Sequence, residues 1–137
     1  MRCSVVLCVD DCEEILGFYE DLLGRSGYVV IVAEDGSEAL QLYRSATRPI
    51  DAVILDYQMP GMTGLELAIS LKDLNPELPI MMVAGSGPEL EQMTPFVDVA
   101  IPKGVPIREI ISRLELLLGQ RVPRVDLTIE SAVPAAS

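Results

Sequence analysis

The chain contains no histidine and no tryptophan, and its 10 lysines and arginines are outnumbered by 21 aspartates and glutamates, for a net charge of −11. A surface this poor in cations cannot neutralise a phosphate backbone, so direct nucleic-acid binding is excluded and a protein partner is expected. Without histidine, and with cysteines at only three positions, any metal site must rest on oxygen ligands. No apolar stretch approaches the roughly 18–20 residues needed to cross a bilayer, so no membrane association is expected. The first nine residues lack a signal-peptide layout, which places the chain in the cytoplasm. Cys3, Cys8 and Cys12 are odd in number, so a disulfide framework is not expected. They read as core or near-core thiols. A zinc site from Cys8, Cys12 and nearby acids is a poor alternative, since two thiols without histidine make a weak donor set.

What is present is apolar and alternating. Half of the 137 residues are apolar, enough for one domain with a proper core and too few for two. Five runs rich in Val, Ile and Leu, at 4–9, 28–33, 52–55, 80–83 and 97–101, alternate with helical patterns. Near-continuous hydrophobicity of this kind marks parallel strands buried on both faces, and the alternation marks βαβ units.

The helices differ in clarity. Ile15, Leu16, Tyr19, Leu22 and Leu23 recur at helical spacing between Asp11 or Cys12 and Gly27. A second helix spans about Ser37 to Ala46 with Leu40 and Tyr43 on one face. Thr63 and Glu66 form a capping box at the head of a third, whose stripe is Leu67, Ala68, Leu71 and Leu74. Around Glu89 to Met93 only about two turns are expected, because Gly85, Ser86, Gly87 and Pro88 precede them and Pro95 interrupts them. The last helix, Pro106 to Leu118, turns Ile107, Ile110, Ile111, Leu114 and Leu118 inward. Residues 1–119 therefore read as one domain and 120–137 as a tail, flexible or docking, in which Val125, Leu127 and Ile129 alternate as in a strand.

Four charged residues stand where apolar runs end: Asp10 and Asp11 after the first, Asp56 after the third and Lys103 after the fifth. In an open parallel sheet these ends share the carboxyl edge, where ligands bind. Three carboxylates together repel one another unless a cation intervenes, and hard oxygen donors suit Mg2+. An aspartate bound to such a cation beside a lysine is suited to taking a phosphoryl group.

With Val9-Asp10-Asp11, Leu55-Asp56 followed by Met59-Pro60-Gly61-Met62 and Gly64, and Pro102-Lys103, the chain resembles the receiver domain of two-component response regulators over residues 3 to about 118. The resemblance implies an α/β fold, the flavodoxin-like doubly wound (βα)5 arrangement with a five-stranded parallel sheet in the order 2-1-3-4-5. It makes Asp56 the phosphoacceptor, Asp11 a direct Mg2+ ligand, Asp10 a ligand through water, the Gln58 backbone carbonyl a further ligand, and Lys103 the partner of Asp56 and then of the phosphoryl oxygens. A histidine kinase or histidine phosphotransfer protein is the implied donor, because a chain without histidine cannot supply the phosphohistidine itself. The chain is expected to be a stand-alone phosphoryl acceptor rather than an enzyme, with at most slow self-dephosphorylation and output to a downstream protein.

Three positions depart from the family pattern. Ala84 stands where Thr or Ser is usual, Ala100 where Tyr or Phe is usual, and Lys103 precedes Gly104 instead of proline. Both parts of the usual hydroxyl and aromatic switch are absent, with Ser86 the one nearby hydroxyl. A degenerate receiver signalling without phosphorylation is therefore one alternative. An aspartate-nucleophile phosphohydrolase is another, although its second acid, two residues past the nucleophile, is here Gln58. A flavin mononucleotide carrier shares the fold class, but the Asp10-Asp11 edge would repel its phosphate.

Overall fold

The computed structural model describes residues 3–85 and 88–119. The expectations placed on Ser86 and on residues 120–137 lie outside these. Elements follow one another as β1 (Val5–Val9), α1 (Glu13–Arg25), β2 (Val29–Ala33), α2 (Gly36–Ser45), β3 (Ala52–Asp56), α3 (Gly64–Leu74), β4 (Ile80–Ala84), α4 (Pro88–Met93), a 3-10 turn (Thr94–Phe96), β5 (Val99–Pro102) and α5 (Ile107–Gly119). The strands form one parallel sheet in the order β2-β1-β3-β4-β5, as the resemblance implies.

Period-two alternation divides each strand between two cores. Val53 and Leu55 of β3 face Ala39 of α2, Leu67, Ala68 and Leu71 of α3 and Met93 of α4. Ala52 and Ile54 face Leu16, Tyr19 and Leu23 of α1 and Ile110, Ile111 and Leu114 of α5. Every residue of β1 and β3 is buried, as continuous apolar runs in central strands should be.

Local chemistry sets the boundaries. Gly27, at φ +96°, lets the chain reverse after α1 while the Tyr28 N–H donates to the Leu23 carbonyl at 3.1 Å. Thr63 and Glu66 make the expected reciprocal cap, at 3.1 Å from the Glu66 N–H to the Thr63 hydroxyl and 2.9 Å from the Thr63 N–H to the Glu66 carboxylate. Asp35 caps α2 by accepting from the Glu38 N–H at 2.8 Å, which starts that helix at Gly36 instead of Ser37.

Three expectations need correction. Leu74, placed on the inward stripe of α3, is exposed, because it falls at the helix's last residue, beyond the sheet. The expected face of α2 is kept, with Leu40 and Tyr43 packed half-buried against the core beside the buried Gly36 and Ala39. The run from Val97 enters the sheet only at Val99, since Pro95 folds 94–96 into a 3-10 turn. Cys8 is buried, but Cys3 and Cys12 are exposed, as both lie outside β1.

Candidate metal and phosphoryl site

Strand register brings the site together. Val9 pairs with Leu55 across β1 and β3, which sets the next residues, Asp10 and Asp56, level at the carboxyl edge. The Asp10 N–H donates to Ala33 of β2 at 3.1 Å, and the Lys103 N–H donates to Ala84 of β4 at 2.8 Å, so each exit from the sheet is held by its neighbour. Asp10, Asp11 and Asp56 each offer a carboxylate oxygen within 4.8 Å of the others. Among the described residues this is the one such cluster, and no cysteine joins it. Burial pushes the Cys8 thiol up, and it lies in the core outside the cluster of carboxylates.

Asp56 is 5% exposed. The Lys103 ammonium lies 3.1 Å from its Oδ1. That oxygen is buried, and the lysine ammonium is its charged partner. Burial raises the Asp56 carboxyl above the usual range, Lys103 and the Gln58 N–H oppose this, and Asp11 adds to it. Asp10 is pushed up to about 6, first by burial and then by Asp56 and Asp11, against a 2.9 Å hydrogen bond from the Cys12 N–H to its Oδ1. A cation bound there would offset these effects, because it favours the charged form of its ligands. Three carboxylate oxygens within 4.8 Å of one another, with no nitrogen or sulfur donor among them, fit Mg2+.

The segment after Asp56 is shaped by two glycines for different reasons. Gly61 has φ +78°, which β-carbon-bearing residues resist. Gly64, in contrast, has no positive φ. Its requirement is space: a Cβ there would lie 2.5 Å from the Asp56 carbonyl oxygen and 2.7 Å from the Tyr57 Cα. The Gly64 N–H also donates to the Tyr57 carbonyl at 2.8 Å. The start of α3 is thereby pressed against the end of β3.

Asp10, Asp11, Asp56, Gln58 and Lys103 line a cleft of about 520 Å3 that continues between α1 and α5 along Ile15, Tyr19, Val83, Val105, Ile107 and Ile110. Tyr19 was assigned to the core by its spacing alone, and its place at the cleft was missed. Its phenol carried the signal, because a buried tyrosine hydroxyl needs a polar partner. Ala84 and Ala100 belong to the opposite core, with α2, α3 and α4; Ala84 is fully buried and Ala100 half-buried.

A family model described as the response regulator receiver domain matches residues 6–115. Over 121 residues the chain is 34% identical to response regulator MprA of Mycolicibacterium vanbaalenii, covering 86% of this chain and 52% of that protein. It is 32% identical over 116 residues to the transcriptional regulatory protein CpxR of Escherichia coli, covering 82% of this chain and 48% of that one. The chain thus spans about half the length of these curated relatives. Among solved structures it resembles response regulator protein TrrA of Thermotoga maritima in complex with Mg(2+)-BeF, with a TM-score of 0.75 and 28% identity over 83% of this chain and 98% of that one. It also resembles the chemotaxis protein CheY4 of Vibrio cholerae, with a TM-score of 0.76 and 29% identity over 85% of this chain and 99% of that one.

Proposed function

The chain belongs to the response regulator receiver domain family of two-component systems, and from that membership we propose that it accepts a phosphoryl group on Asp56 in a Mg2+-dependent reaction. The observation that carries this reading is Asp56 itself, buried, ion-paired with a lysine ammonium 3.1 Å away and with two further carboxylates beside it. The Mg2+–beryllofluoride complex of the related TrrA supports the same choice of metal. Asp10, Asp11, Asp56 and the Gln58 carbonyl would hold Mg2+, which would supply positive charge to the phosphoryl oxygens.

The donor in this reading is a phosphohistidine of a histidine kinase or phosphotransfer protein. An oxygen of ionised Asp56 attacks phosphorus in line, the phosphorus–nitrogen bond breaks with its electron pair passing to the imidazole, and an acyl phosphate results. Little covalent chemistry is asked of the rest of the chain, because a loose phosphoryl-transfer transition state depends on positioning and charge neutralisation. Lys103 provides that charge by following the transferred oxygens. Turnover is stoichiometric, and the state is passed to a downstream protein by contact. No helix among the described residues is long and apolar enough to cross a membrane, and we place the chain in the cytoplasm. Incubation with acetyl phosphate and Mg2+ should add one phosphoryl group by mass spectrometry, and Asp56→Asn should add none. Equal labelling of the variant would overturn the assignment.

A further inference from the structure

Tyr19 is only 4% exposed, yet it lines the cleft that contains the three carboxylates. Its neighbours on the buried stripe of α1, Leu16 and Leu23, fill the core with carbon alone. Packing does not explain a hydroxyl between them. Because α1 follows β1, the helix begins at the carboxyl edge of the sheet, and side chains on a helix lean toward its N-terminus. That lean, together with its place in the cleft lining, turns Tyr19 toward the acidic edge, and its hydroxyl is raised first by burial and then by Cys8, Asp10 and Asp56.

No hydrogen bond ties the hydroxyl to a described residue, and it is not among the side-chain atoms sealed in without a partner, so it opens to the cleft. A buried phenol left unsatisfied is costly, and a roomy polar cleft lets water satisfy it. Asp10 offers the other end of such a bridge. Its Oδ1 accepts from the Cys12 N–H, and its second oxygen makes no hydrogen bond among the described residues. We propose that Tyr19 is a positioning residue of the acidic site, its hydroxyl holding a water molecule that also donates to Asp10 and so fixes the carboxylate's orientation toward the cation. This rests on the Mg2+ site proposed above. It adds to that site a polar contact made from behind, by a helix that contributes no ligand.

Orienting partners of this kind typically change metal affinity by about 10–100-fold. Isothermal titration of the full chain with Mg2+ should therefore show about tenfold weaker binding for Tyr19→Phe, which keeps the ring and loses only the hydroxyl. Its melting temperature in EDTA should match that of the wild type. A second reading needs no variant: with tyrosine labelled at the 13C ring carbon bearing oxygen, the Tyr19 resonance should shift on adding Mg2+ to the wild-type protein. Unchanged Mg2+ affinity in Tyr19→Phe, or a Tyr19 resonance indifferent to Mg2+, would overturn the inference and leave the site intact. A wild-type chain that binds no Mg2+ would overturn both.

Discussion

Asp56 is a charge held inside a protein. Two like charges some 4–5 Å apart repel by roughly 3–4 kcal/mol at an effective dielectric near 20. Asp10, Asp11 and Asp56 lie within that range of one another, and one lysine is the cation beside them. Set against a typical folding stability of about 5–15 kcal/mol, this is a large local cost, and it is offset by raised carboxyl pKa values or by a cation. The geometry around Asp56 is also set by a residue that bears no charge. Gly64 sits so close to the Asp56 carbonyl that Gly64→Ala must displace either β3 or the start of α3. Urea unfolding should show a loss of about 1–3 kcal/mol, the usual cost of overpacking, with slower phosphorylation because the acceptor moves. A variant as stable and reactive as the wild type would show that this contact is not tight. The sequence exposed the glycine but not its reason, since a demand for φ above zero and a demand for space look alike until the neighbouring backbone is seen.

Among the elements, α4 departs furthest from a regular crossover. Six helical residues and a 3-10 turn join β4 to β5, because Pro95 cannot continue an α-helix. The same region has lost the groups that would report on Asp56. Ala84 has no hydroxyl to follow a phosphoryl oxygen, and Ala100 has no ring to swing inward. A conformational change needs interactions that differ between the two states. Mg2+ and beryllofluoride should therefore alter amide exchange at β1, β3 and the Lys103 turn, with little change from Leu90 to Ile101. Strong new protection in that stretch would show that this protein switches by another route. The short helix was legible in advance from its prolines. That Ala84 is wholly enclosed and Ala100 only half so was not, because their enclosure depends on α3 and α4 packing over them.

At the scale of the molecule, a net charge of −11 and an acidic cluster at one sheet edge should, on the proposed reading, make the fold responsive to divalent cations. A ligand that binds only the native state stabilises by mass action, about 2.7 kcal/mol at a hundredfold excess over its Kd. For a domain of this size that should raise the melting temperature on the order of 10 °C. Asp11→Ala should lose most of this rise while melting higher than the wild type in EDTA, since one repelling charge is gone. Scanning calorimetry with Mg2+ and with EDTA checks both signs, and an identical Mg2+ response in the two proteins would relocate the site.

The order of elements, the parallel sheet and the four charged residues at its edge could be read from the chain alone, because each rests on short-range pattern: apolar runs, a capping box, prolines, and charges where strands stop. Other features arose only when the elements came together. The register Val9 with Leu55 sets Asp10 level with Asp56, the close approach of α3 makes Gly64 obligatory, and the lean of α1 carries Tyr19 from an ordinary core position to the back of the acidic cleft. Sequence periodicity tells which face a side chain takes. The distance between a side chain and a group far along the chain is decided by packing, and the chemistry of this site depends on such distances.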